Sequence, residues 1–238
     1  MLGAKFCLQR YYPRDEEIVY RYMSFDKFNH LLARGDQFAD CYEGIETELG
    51  GNFRKAVHNS DAFEENSKLY ERNRRCVAIS CWSVGDQESM VLWKRFAREN
   101  CGIAIRTRVE KIRSSLAAWD RYLCVRKVEY VENHDTAFTK FKCPFFPFSI
   151  KKQQEFGDEN ELRIIYGEGK GCVEGSPLYK AQEISSIAVR ISIDPSVLIC
   201  EVVLSPRSTA SAFEKVEKIC KDTGLNISIV NSSLIYDR

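Results

Sequence analysis

"LICEVVLSPRSTASAFEKVEKICKDTGLNISIV" (residues 198–230) carries three kinds of pattern in 33 residues. "LICEVVLS" is a short β-branched apolar run, the mark of a strand. In "TASAFEKVEKICKDTG" the apolar residues recur at helical spacing. Ser211 and Glu214 have capping-box spacing, and Gly224 suits the helix stop. "NISIVNSS" returns as a strand. The spacing predicts a β-α-β unit at about 197–233.

Upstream, strands alternate with short helices. "EEIVYRYMS" reads as a strand over 17–23. "SFDKFNHLLARG" follows as a helix capped by Ser24, striped by Phe25, Phe28, Leu31 and Leu32, and stopped at Gly35. "CVAISCWS" (76–83) is a strand, "QESMVLWKRFAREN" a helix and "CGIAIRT" a strand. "IRSSLAAWDRY" reads as a helix, and "LCVRKVEYV" as one strand. "ENELRIIY" (159–166), "ISSIAVRISID" and "SVLICEVVLSP" read as further strands. Pro144 and Pro147 exclude a regular helix or central strand around them. "GEGKGCVEG" (167–175) reads as a hairpin turn. These elements predict an α+β fold with a strand-rich centre, as a single domain over 1–238. The polar stretch 36–75, with one helix near 61–74, reads as an acidic insertion.

Charge is close to balanced, at +1 formally, so no global field draws the chain to nucleic acid or membrane. It is unevenly distributed. Residues 36–65 hold eight acids against two bases, and residues 94–127 hold ten bases against three acids. The ten cysteines are scattered, with no Cys-x-x-Cys pair. Several lie in apolar runs, Cys200 and Cys220 among them, as buried free thiols do in a reducing compartment. "MLGAKFCLQRYYPRDEE" lacks the apolar centre of a secretory signal, and no stretch approaches the about 20 apolar residues of a membrane helix. The expectation is a cytoplasmic protein without a membrane partner. His30, His58 and His134 are isolated, and no ligand cluster has metal spacing, so no metal is expected.

Three short segments carry polar groups suited to chemistry. Alternation along "ENELRIIY" puts Leu162, Ile164 and Tyr166 on one face, and Glu159, Glu161, Arg163 and Ile165 on the other. Residues two apart on a strand lie about 6.5–7 Å apart, so two carboxylates and a guanidinium point the same way. In a pocket they form an acid/base set. On a solvated face they form an ordinary surface pair. "SCWS" places Ser80 and Ser83 at the end of an apolar strand, where a hydroxyl meets either a ligand or neighbouring backbone. "VYRYMS" sets Arg21 between Tyr20 and Tyr22, facing away from both. An arginine so placed holds a phosphate, or lies exposed beside two half-buried rings.

The order "YRYMSFDKFNHLL", "SCWS…ESMVLWKRFARENCGIAI", "FGDENELRIIY" and "VVLSPRSTASAFEKVEKI" resembles a bacterial family known as domain of unknown function 2971, over roughly residues 17–235. The chain also resembles ADP-ribosyltransferases of the Arg-Ser-Glu type. These carry an Arg on an early strand, a Ser-x-Ser-like stretch on a middle strand and Glu-x-Glu on a later one. Arg21, Ser80 and Glu159/Glu161 meet that order, although "SCWS" departs from a Ser-Thr-Ser triplet.

The second resemblance implies a split, mostly antiparallel sheet flanked by helices, and NAD as substrate. It implies that Glu161 stabilises an oxocarbenium-like ribose and Glu159 orients or deprotonates an acceptor, whether protein or nucleic acid. Arg21 would hold the phosphates, Ser80 the nicotinamide ribose, and Tyr20 or Tyr22 would stack nearby. Ser83 and Arg163 complete the expected cofactor-binding set. A toxin or phage-defence effector is the implied setting. The alternatives are a non-catalytic module binding nucleic acid or protein through the basic middle, and a metal-dependent nuclease using Glu159 and Glu161 with Asp40 or Glu43.

Overall fold

In the computed structural model the described residues are 12–41, 75–97, 101–116, 123–132, 146–152, 156–167 and 188–235. The expected helix near 61–74 and the turn at 168–175 lie outside them. The architecture is α+β, with a mostly antiparallel sheet and helices. The chain divides into two compact units of interleaved segments. One comprises Met1–Pro13, Phe38–Cys81 and Asp120–Val189; the other comprises Arg14–Gln37, Trp82–Trp119 and Arg190–Arg238.

The second unit is built on strands β1 (Ile18–Met23), β4 (Ile103–Arg108), β10 (Glu201–Leu204) and β11 (Ser228–Asn231), with the end of β3 (Val77–Val84) and most of β9 (Ala188–Ser192). β1 runs antiparallel to β3 and β4, and β4 antiparallel to β10. β10 and β11 are parallel, as a β-α-β crossover requires. Helix α1 (Phe25–Arg34) buries Phe28, Leu31 and Leu32. Ser24 Oγ accepts from the Lys27 amide, and Gly35 takes the left-handed conformation (φ 62°) that its sequence position predicts. Helix α2 (Met90–Phe96) buries Leu92 and Trp93 against Tyr20, Tyr22, Ala104 and Val203.

Several expectations are corrected here. The helix expected over residues 112–122 is α3 (Val109–Ser115), which starts where β4 ends. "SVLICEVVLSP" is not one strand. Asp194 caps a short helix α4 (Pro195–Leu198) through the Ser196 amide, and Pro195 at its start suits that role. Cys200 is exposed, whereas Cys220 is buried as expected. Helix α5 (Ala210–Asp222) is capped by Thr209, whose hydroxyl accepts from the Ala212 amide, rather than by Ser211.

In the first unit, β8 (Glu161–Gly167) pairs antiparallel with β5 (Leu123–Lys127) and also with β3. β2 (Asp36–Cys41) pairs antiparallel with β3, so the opening of the expected insertion is a strand. The single strand expected over 123–131 breaks at Val128, whose amide donates to the Glu161 carbonyl. β6 (Glu129–Val131) then pairs in parallel with β7 (Ile150–Lys152). All seven residues of β8 are buried. The strand order thus delivers a fully enclosed strand that begins with a carboxylate.

The cap assignment is open to a direct test. Thr209→Ala is expected to lower stability by about 1 kcal/mol in chemical denaturation. Ser211→Ala, on an exposed helical position, should stay within about 0.5 kcal/mol of the parent.

Candidate active site

Asn160, with φ 39°, is the only non-glycine residue among those described with positive φ. It ends a 3-10 turn over Gly157–Glu159 and starts β8. Glu159 is therefore off the strand, and the expected shared face of Glu159, Glu161 and Arg163 is corrected. Lys151 on β7 brings the two acids together instead. Its Nζ lies 2.6 Å from Glu159 Oε2 and 2.5 Å from Glu161 Oε2. Arg163 closes the other side as a fork. Nε donates to Glu161 Oε1 at 2.9 Å and Nη2 to Oε2 at 3.2 Å, while Nη1 donates to the Phe148 carbonyl at 2.7 Å.

This is not a solvated pair. Glu161 is 4% exposed and Arg163 0%. Two acids and two bases leave the cluster neutral, which is what allows it to be buried. Burial opposes ionisation of Glu161, but the Arg163 guanidinium and the Lys151 ammonium outweigh it and bring its pKa down to about 2. The Cys81 thiol also bonds to this carboxylate. Cys81 is exposed, whereas its neighbour Ser80 is buried. The Glu161 amide donates to the Tyr130 hydroxyl at 2.8 Å, fixing the strand end. Lys151 also stands 4.8 Å over the Phe156 ring.

The remaining expected site residues belong to the other unit. The Tyr20 and Tyr22 rings, 6.1 Å apart, are buried in its core, and Tyr22 meets Trp93 edge-on at 4.9 Å. The Tyr22 hydroxyl accepts from the Ser89 amide at 2.8 Å, and the Tyr20 hydroxyl donates to the Asp86 carbonyl. The stacking role expected of these rings is corrected: packing occupies them. Arg21, half-buried on the opposite face of β1, lies 5.7 Å from the centre of the Trp82 ring. Ser83 is half-buried. Arg163 was expected to bind cofactor; enclosed as it is, it holds Glu161.

Two alternative readings lose their cues. Three of the described arginines of the basic run are paired or buried. Arg106 pairs with Glu201 at 3.4 Å, Arg113 pairs with Asp15, and Arg126 is buried. A nuclease centre needs carboxylates open to a metal, yet Lys151 occupies both Glu159 and Glu161. Among the described residues no group of three or more His, Cys, Asp or Glu could hold a metal ion. No helix among them is long and apolar enough to cross a membrane.

Sequence reasoning missed Lys151, Tyr130 and Cys81. Lys151 sits in "SIKKQQEF" behind a proline, with no periodicity to mark it as buried. Cys81 stands inside "SCWS", where only the two serines drew attention.

Removing the Glu161 charge leaves Lys151 and Arg163 with excess buried positive charge. Glu161→Gln is expected to cost about 3–5 kcal/mol in urea denaturation at pH 7. The folded pKa of Glu161 lies well below the usual carboxylate range. The stabilisation is therefore complete above the unfolded pKa and is lost as pH falls towards the folded one. The gap between parent and Glu161→Gln should narrow between about pH 5 and pH 2. A constant gap would contradict the ion-cluster account.

No family model matches the chain, so the resemblance to the domain of unknown function 2971 family rests on the quoted motifs alone. No curated protein matches it either. Two solved structures are similar to it. Thermus sp. 2.9 DarT in complex with carba-NAD+ has 9% identity and a TM-score of 0.39, over 93% of this chain and 97% of that one. Thermus sp. 2.9 DarT in complex with ADP-ribosylated ssDNA has 12% identity and a TM-score of 0.40, over 94% and 97%.

Proposed function

We propose that this chain breaks the nicotinamide–ribose bond of NAD, as an ADP-ribosyltransferase or NAD glycohydrolase, with Glu161 as the stabilising carboxylate. The observation that carries this reading is a buried carboxylate held ionised, in a fixed orientation, by Arg163 and Lys151. A fixed negative charge in a water-poor site is what an oxocarbenium-like ribose needs.

The four acceptor positions of a carboxylate match the four donors around Glu161: two from Arg163, one from Lys151 and the Cys81 thiol. The thiol is the weakest donor and the exposed one. A ribose hydroxyl would take its place. In the reaction the C1′–N bond breaks, and its electron pair leaves with nicotinamide. Water or an acceptor adds to C1′ and loses its proton. Ser80, in the same unit as Glu161, is assigned to positioning. Glu159 keeps Lys151 aligned on Glu161.

The test is nicotinamide release from NAD, with water, protein or nucleic acid as acceptor. Wild type is expected to turn over. Glu161→Gln, assayed where it remains folded, should lose about 10²–10³ in kcat with KM little changed. No release by wild type with any of these acceptors, or an undiminished rate in the variant, overturns the reading.

A further inference from the structure

The β10–α5–β11 crossover leaves a cavity of about 430 Å³ where its two parallel strands end. Ser205 follows β10, Asn231 closes β11, and the first turns of α5 complete the lining. The carboxyl ends of parallel strands are where such crossovers hold ligands, and the volume suits a small molecule. The lining lies wholly within the second unit.

The hydroxyls of this cavity are unevenly used. Ser205 Oγ accepts from the Arg207 amide at 3.2 Å, and Thr209 Oγ1 from the Ala212 amide at 3.3 Å. Each still has its own proton to give. Ser208 Oγ is buried and has no hydrogen-bond partner among the described residues, although Ser208 borders open space. A buried hydroxyl left unpaired costs stability, so it calls for a reason. The first amides of α5 have no intrahelical carbonyl and add further donors. Glu214 contributes a carboxylate, which only accepts, and Phe213 a half-buried ring.

No lysine or arginine is among the lining residues, and the Glu214 carboxylate repels an anion. The matching ligand is therefore neutral. It must both give and accept hydrogen bonds, and lay an apolar side on Phe213. A sugar ring meets all three demands, and an adjacent pair of hydroxyls suits the two oxygens of a carboxylate. We infer that this cavity binds a neutral ribose-type sugar, whose vicinal hydroxyls donate to Glu214 and whose oxygen accepts from Ser208. The inference does not rest on the NAD reading.

Nuclear magnetic resonance titration of nitrogen-15-labelled protein tests this, with methyl riboside and with its analogue lacking the vicinal hydroxyl pair. The Ala210 and Ser211 amide resonances should shift saturably with the riboside and stay still with the analogue. Ser208→Ala should bind the riboside about tenfold more weakly, while its urea midpoint stays at or above that of wild type, because it sheds an unpaired polar group. A hydroxyl kept for the fold would do the reverse, lowering the midpoint and leaving affinity intact. Glu214→Gln, on an exposed helical position, should also weaken binding. No saturable shift, equal shifts with both compounds, or full affinity in Ser208→Ala would overturn the inference. Shifts produced by inorganic phosphate and not by the riboside would overturn it too.

Discussion

The first unit depends on the neutral cluster of Lys151, Glu159, Glu161 and Arg163. Four charges are enclosed where water cannot reach them, so each must find its counterpart with good geometry. That requirement ties together a strand, a short parallel strand and a 3-10 turn that are unrelated in local pattern. Arg163 adds a backbone tie at Phe148, and the Glu161 amide adds one at Tyr130. A cluster of this kind contributes little net stability compared with a well-packed apolar replacement. Losing a single member is severe. Its presence at the mouth of β8, beside an exposed thiol, is more simply explained by chemistry than by packing.

The second unit solves its packing with aromatics. Tyr20, Tyr22 and Trp93 fill the space between β1 and α2, and each polar tip finds a partner. Glu88 gathers the Trp93 indole, the Ser232 hydroxyl, and the Ser233 amide and hydroxyl, pinning the segment that follows β11.

Much of the architecture was legible because local rules decide it. The Ser24 cap, the Phe28/Leu31/Leu32 stripe and Gly35 are set within one helix, and the β10–α5–β11 crossover follows from period and turn chemistry. The failures share a cause. Ser211 and Glu214 have capping-box spacing, but the helix begins one turn-residue pair earlier, where Thr209 reaches the Ala212 amide. "ENELRIIY" alternates correctly from Glu161 onward, yet Asn160 in the left-handed region takes Glu159 off the strand. Lys151 is invisible because only tertiary pairing makes a buried lysine acceptable. The aromatic neighbours of Arg21 suggested ligand stacking, and the core claimed them instead.

The catalytic reading requires that the enclosed carboxylate meet substrate. The most direct measurement is a crystal structure with a non-hydrolysable NAD analogue. The account predicts a nicotinamide-ribose hydroxyl about 2.7 Å from a Glu161 carboxylate oxygen, in the position the Cys81 thiol holds, with Lys151 and Arg163 unmoved. An analogue bound elsewhere, with the Cys81 bond to Glu161 intact, would contradict it.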